Sequence, residues 1–413
     1  MAGPAVVRRN TRRILAGQAV SLLGDYIAVL ALPLFVLELS GSALDLGLTT
    51  AFETLPTLLF GFAVGVALDR IPLRRALVVA DVGRAAGFIA LAVAAASDAA
   101  APWMVFAVAF LVGSLAVGFD SGLQAWLPSL VPDDTLVVVN ARIQLIRTAA
   151  WSVGPPLAGF LASGPGGFAT AFSIDAATFV VSAAFVLALT EIAHRPSAGR
   201  EAWLPSFTAG IKYLAREQRL RAATLGATAA NTLFVPMEAL LVLFATEALG
   251  IGDTALIGWF FAGHSLLGAL GVAAAPRIAR RIGLGPTFVL GLVMLGGGFL
   301  SLTLASDGVA ALPDVAAVVV AAVPAGLSVA GVSFTNVAFS TLRQQIPPPE
   351  LRGRVIAATR TFAWAGLPVG AALGGLLGER VGAEAVYIGA SFSIIAVGAL
   401  LSGTRLVRVS AGS

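Results

Sequence analysis

Long apolar runs alternate with short polar connections over nearly the whole chain. The runs fall at 14–39, 43–68, 76–96, 102–126, 140–163 and 167–190, and again at 221–248, 255–276, 284–305, 313–340, 353–378 and 383–403. A helix rises about 1.5 Å per residue, so each run is long enough to cross a hydrocarbon core roughly 30 Å thick. A polar stretch at 191–220 parts the two sets. It begins His194-Arg195-Pro196-Ser197 and continues through 207–219, where Phe207, Ile211 and Leu214 recur at helical spacing. That spacing predicts an amphipathic helix lying on the inner membrane surface. The pattern as a whole predicts an all-α membrane protein with 12 transmembrane helices. Residues 1–190 would form one six-helix bundle, 191–220 a cytoplasmic linker, and 221–413 a second six-helix bundle.

The two halves also resemble each other. Leu-Val-Pro-Asp-Asp-Thr-Leu at 130–136 leads into a span rich in Gly and Pro, and Ile-Pro-Pro-Pro-Glu-Leu at 346–351 leads into another. Such a parallel repeat is a known construction principle of secondary transporters.

Composition narrows the class further. With 58% hydrophobic and 12% charged residues and a mean hydropathy of +0.92, a soluble globular protein is excluded. The 46 Gly and 21 Pro fall largely within the runs, where they suit spans that pack backbone to backbone or bend. Arg8-Arg9-Asn10-Thr11-Arg12-Arg13 before an apolar run imitates a secretory leader. The run that follows is too long for a leader core and contains Asp25, so it reads as a first, uncleaved span.

There is no cysteine, which removes disulfides, thiolate chemistry and Cys-based metal sites, and the two histidines, His194 and His264, are far apart. No metal, cofactor or enzymatic activity is expected. The arginines occur in short clusters between apolar runs rather than along one basic face, which argues against nucleic acid as a partner.

Charge sets the expected orientation. Basic residues fill the N-terminal tail (Arg8, Arg9, Arg12, Arg13), the 69–75 loop (Arg70, Arg74, Arg75) and the central segment. They also follow spans eight, ten and twelve, or sit at one end of a span, whereas Arg380 alone falls in a loop of the opposite side. Those opposite loops hold Asp45, Asp98, Asp253, Asp307 and Asp314 instead. The positive-inside rule then places both termini in the cytoplasm of a cell-membrane protein, the inner membrane where there are two.

The loop between the second and third runs reads Gly65-Val-Ala-Leu-Asp69-Arg70-Ile-Pro72-Leu-Arg74-Arg75. It resembles the Gly-x3-Asp-Arg-x-Gly-x-Arg-Arg loop of the major facilitator superfamily, with Pro72 in place of the second Gly. Pro also fixes a bend. In span five, Gly154-Pro155-Pro156-Leu157-Ala158-Gly159 resembles the Gly-Pro-x-x-Gly-Gly motif of that family's drug antiporters, with Ala158 in place of one Gly. The text from Gln18 to Asp25, and that around Asp175, resemble the subgroup of enterobactin exporters and macrolide efflux proteins. The resemblance implies a monomeric secondary transporter that works by alternating access in the lipid bilayer. It also implies a gate in which Asp69 and Arg74 meet Asp120, and it tilts the direction towards export. The Arg motif that many proton-coupled members carry in span four has no match; residues 118–122 offer Asp120 instead.

No Gly-x4-Gly-Lys-Ser/Thr stretch exists, so protons rather than ATP are the expected drive. Protons need carboxylates inside the membrane, where such groups are scarce unless used. Asp25 lies about 12 residues, or ~18 Å, into span one, near the midplane; the alternative for it is permanent pairing with an Arg such as Arg147. Glu53 in span two is the second candidate. Asp81 and Arg84, three apart, read as a local helix pair.

The cavity is expected to be largely apolar, suited to a hydrophobic drug-like or siderophore-like molecule rather than a sugar. Its candidate residues are Gln18, Phe35, Arg147, Asn231, Phe234, Glu238, His264 and Asn336. For His264 a hydrogen-bonded interior role stands beside the substrate role. A proton-coupled importer of a nutrient or lipid-like compound, and a membrane protein that only senses or scaffolds, are the competing readings.

Overall fold

A computed structural model describes residues 4–61, 63–68, 70–190 and 203–408. The helices are α1 (Pro4–Ser40), α2 (Ala43–Phe60), α3 (Ala63–Leu68), α4 (Leu73–Ala96), α5 (Pro102–Leu130), α6 (Asp133–Ser163), α7 (Gly167–Leu187) and α8 (Trp203–Arg216). They continue as α9 (Gln218–Ala239), α10 (Leu241–Glu247), α11 (Thr254–Ile282), α12 (Leu284–Leu304), α13 (Ser306–Ala310), α14 (Asp314–Gln345), α15 (Pro349–Val381) and α16 (Ala383–Ser402).

Among the described residues, nine helices are long and apolar enough to cross a membrane, or ten if α9 and α10 count as one span. The expected twelve is not reached on that criterion. The long helices that fall short are α2, which carries Asp45 and Glu53, and α6, which carries Asp133, Asp134, Arg142 and Arg147. Large apolar side chains stand exposed along the other helices (Val79, Val93, Trp103, Leu304, Val319), as a multi-pass membrane protein requires of its lipid-facing surface.

Two expected runs are interrupted. The run at 43–68 ends as α2 near Gly61 and resumes as α3. The run at 221–248 bends by 47° between α9 and α10. Pro236, one turn before the bend, supplies no N–H to the helix ladder. At the bend itself, where α9 gives way to α10, the carbonyl of Met237 accepts from the Tyr387 hydroxyl at 2.5 Å. A freed carbonyl with a side-chain donor is one of the recognised causes of a kink.

Two compact units can be separated. The first comprises Met1–Gly41, Phe52–Ala198 and Asp253–Ala262; the second comprises Ser42–Ala51, Gly199–Gly252 and Gly263–Ser413. Within the first, α1 packs on α6 and α7, and α4 packs on α5 and α7. Within the second, α9 packs on α15 and α16, and α12 packs on α14 and α16. The pairings correspond one for one.

One end of the first unit is held by a core of Ile14, Leu77, Phe119, Trp126, Leu130, Val139 and Leu189. The start of α1 satisfies carbonyls that the ends of α5 and α7 leave without helical partners. Asn10 donates to Leu130 O at 2.9 Å and to Thr190 O at 2.6 Å, and Arg13 donates to Ala188 O.

In the second unit α8 begins four residues earlier than the spacing predicts. Its buried Gly210 and Leu214 face α15, with Gly210 against the Arg354 carbonyl, and Tyr213 donates to Ile346 O at 3.2 Å. Of the expected apolar side, Leu214 is therefore taken up by protein. Residues 191–202, the first part of the expected linker with His194, lie outside the described residues.

The opening turns of α2 belong to the second unit for a specific reason. Glu379, near the end of α15, accepts from Leu44 N–H at 3.2 Å and from the Ser42 hydroxyl at 3.1 Å. Below this cap Gly47 meets Gly375, where a Cβ on Gly47 would stand 2.6 Å from the Gly375 Cα.

Candidate functional site

In the first unit α1 can approach α7 closely because residue 24 is glycine. The side chains of Asp175 and Thr178 occupy the place where a Cβ on Gly24 would stand. The neighbouring Asp25 is 31% exposed and reaches Arg84 of α4, Oδ1 to Nη1, at 3.4 Å. Arg84 is only 2% exposed and also bonds Asp81, which is fully buried one turn earlier on the same helix. Its guanidinium lies between two rings, 4.7 Å from the centroid of Phe119 and 4.2 Å from that of Phe179. Asp175, fully buried, takes a long contact from the Thr178 hydroxyl at 3.4 Å, while its Oδ2 has no partner. Three carboxylates thus gather around one arginine, and the one on α1 is accessible. Glu53 on α2 is exposed and lies within Coulomb range of Asp25.

One turn and more towards the N-terminal end of α1, a cavity of about 450 Å³ opens between α1, α5 and α6. Leu123, Leu127, Pro128, Leu136 and Ile143 form its apolar wall, and Gln18, Gln124, Asn140, Gln144, Asp120 and Arg147 its polar wall. Asp120 and Arg147 stand 3.9 Å apart and are 53% and 35% exposed, so their attraction is weakened by solvent. Arg147 also neighbours the Tyr26 hydroxyl, and the Tyr26 ring meets Trp151 edge-on at 5.0 Å.

Several expected site residues are placed differently. Asp120 pairs with Arg147 and not with Arg74. The Arg74 side chain donates to Leu189 O at 2.6 Å and lies 5.8 Å from the Trp126 ring, so an open helix-end carbonyl takes the cation first. Asp69 lies outside the described residues, Gly65 falls within α3, and Arg70 and Arg75 are exposed. The partner of Asp25 is Arg84 rather than Arg147. Phe35 is buried against Phe168 and Phe172 at centroid distances of 5.1 and 5.2 Å, which makes it a packing residue.

The Gly154–Gly159 motif acts as a double spacer. A Cβ on Gly154 would stand 2.5 Å from Tyr26 Cβ of α1. Gly159 meets the Thr254 carbonyl at the start of α11, and the Pro155 carbonyl meets Gly258.

The second-unit candidates are spread over α9, α11 and α14. Asn231 donates to Ala363 O at 2.8 Å, Phe234 packs with Val235 and Ala371, and His264 is buried. Glu238 is half-buried just before the α9–α10 bend, and Asn336 is exposed. Among the described residues, no group of three or more His, Cys, Asp or Glu could hold a metal ion.

Sequence reasoning missed Gln124, Asn140 and Gln144. The four-residue spacing of Asn140 and Gln144 on one helix face was the available signal.

A family model described as Major Facilitator Superfamily matches residues 14–371. The multidrug efflux pump Tap of Mycolicibacterium fortuitum is 27% identical over 406 residues, covering 94% of this chain and 95% of that one. Macrolide efflux protein A of Streptococcus pyogenes is 27% identical over 405 residues, covering 96% and 93%. Among solved structures, a mutant of the nucleoside transporter NupG superposes with a TM-score of 0.76 at 12% identity, over 95% of this chain and 98% of that one.

Proposed function

Because the chain belongs to the Major Facilitator Superfamily, and so is a membrane transporter of small molecules, we propose that it exports drug-like amphiphiles in exchange for protons by alternating access. Two relatives named for multidrug and macrolide efflux, similar over nearly the whole chain, support the direction and the substrate class. The observation that carries the coupling is the Asp25–Arg84–Asp81 group with Asp175 beside it. Acids outnumber bases there, and Asp25 alone of the three carboxylates is substantially exposed. Such a site can load and release a proton without opening the bundle. Glu53 is the second carboxylate in reach.

In this reading the two sets of corresponding helix pairings are two six-helix bundles, with α2–α3 and α6 among twelve spans. The charges of α2 and α6 would then face protein or water rather than lipid. In this reading both termini and the 191–220 segment are cytoplasmic, which the placing of the arginines supports. Reporter fusions settle the orientation: a phosphatase that is active outside the cell when fused at position 200 would overturn it.

The exporter reading is tested in cells loaded with a fluorescent cationic dye. Expression should lower steady-state dye at least about threefold, and an uncoupler should restore it. Accumulation above the control, or efflux indifferent to the uncoupler, would sink proton-coupled export.

A further inference from the structure

The polar wall of the α1–α5–α6 cavity is out of keeping with the apolar cavity that the chain's composition suggests. Four carboxamides converge on it: Gln18 from α1, Gln124 from α5, and Asn140 and Gln144 one turn apart on α6. Gln124, Asn140 and Gln144 are exposed, so their amides are open to a ligand in the cavity. Gln18 is only 5% exposed, so its amide is held in the wall rather than trailing into solvent.

A carboxamide offers an acceptor and two donors side by side. Groups that both give and take hydrogen bonds, namely hydroxyls, ring ethers and carbonyls, satisfy such a surface. A hydrocarbon or a bare lipophilic cation displaces the water from it and returns nothing. A ligand that covers these amides without matching their hydrogen bonds leaves them unpaired, and so binds less tightly than one that supplies the matching atoms. The leucine side of the same cavity is available for the apolar remainder of a ligand, and about 450 Å³ lies within the range of pockets that hold part or all of a drug-sized molecule.

We propose that this cavity is a subsite for the hydroxyl- and carbonyl-rich portion of an amphiphilic substrate, selected by the amides of Gln18, Gln124, Asn140 and Gln144. The role of the bound molecule as cargo rests on the exporter reading; its binding does not. Asp120 and Arg147 at the rim supply charged partners to the same ligand.

The chain has no cysteine, so Leu136→Cys places a single thiol in the apolar wall without touching an amide. Its alkylation rate is measured on the purified full-length protein with erythromycin, a macrolactone bearing sugars and several hydroxyls. Tetraphenylphosphonium, a lipophilic cation without hydrogen-bonding groups, is the second probe. Saturating erythromycin should slow alkylation by about tenfold, and tetraphenylphosphonium by less than about twofold. Adding Gln124→Leu and Gln144→Leu should raise the erythromycin concentration for half-protection by about tenfold or more, as expected for the loss of two hydrogen-bonding groups. Gln124→Leu alone should give part of that shift, and it serves if the double variant does not purify.

Equal protection by both probes, protection by neither, or an unchanged half-protection concentration in the amide variants overturns the subsite. A parent protein that exports dye while neither probe protects the thiol loses the subsite and keeps the exporter reading. One that shows the protection pattern without uncoupler-sensitive efflux does the reverse.

Discussion

Asp25→Asn is expected to abolish uncoupler-sensitive export while leaving a folded protein. Asparagine has the same shape and can still accept from Arg84, but it cannot take up and release a proton. The fold should tolerate the change, since the Asp25–Arg84 contact is long at 3.4 Å and Asp25 is 31% exposed. A partly solvated bond of this kind contributes on the order of 1 kcal/mol. The dye gradient in Asp25→Asn cells should fall to that of cells without the protein, with unchanged amounts of protein in the membrane. Glu53→Gln belongs in the same assay. A residual gradient in Asp25→Asn that still collapses with an uncoupler would show that the proton travels by another group.

Arg84→Met should do the opposite and strike the fold itself. Arg84 is the basic partner of the fully buried Asp81 and lies between the rings of Phe119 and Phe179. Its removal strands an acid that has no water to turn to. Breaking a buried pair by deleting one partner costs about 3–5 kcal/mol, a large share of what holds a domain together. The variant should accumulate poorly or melt well below the parent in detergent. Asp81→Asn placed in the same chain should recover most of the loss, because the stranded charge then disappears. The four proteins form a double-mutant cycle whose coupling measures the pair directly. Equal melting of Arg84→Met and the parent would mean that this arginine contributes nothing to the fold. Taken together, the two substitutions separate a group that works from a group that supports it.

The helices were legible to within a few residues at most ends, because a change from apolar to polar text is a local signal. The breaks were less so. Pro236 was visible in the sequence, but the bend at Leu240 also needs the Tyr387 hydroxyl, supplied 150 residues later. The site divides in the same way. Asp81 and Arg84 could be paired by their spacing of three, whereas the third member, Asp25, is 59 residues away and joins only through the packing around α1 and α4. Asp120 illustrates the limit of borrowed pairing. The loop motif pointed it at Arg74, but Arg74 is taken by the Leu189 carbonyl and Asp120 by Arg147, a competition that no spacing encodes. Asp175, whose text stood out without suggesting a role, turns out to press on Gly24 beside Asp25. The glycines of 154–159 were legible as a motif; what they make room for, Tyr26 and the start of α11, was not.

The cap on α2 bears on how the protein is made. Leu44 N–H and the Glu379 carboxylate that receives it are 335 residues apart. A ribosome adds about 5–20 residues per second, so Glu379 emerges roughly 15–70 s after Leu44. Throughout that interval α2 sits in the nascent chain with an unfinished first turn and with the bare backbone of Gly47 waiting for Gly375. The second helix to be synthesised is therefore among the last to be completed, and translation arrested before α15 leaves its outer end open however well the earlier helices have inserted.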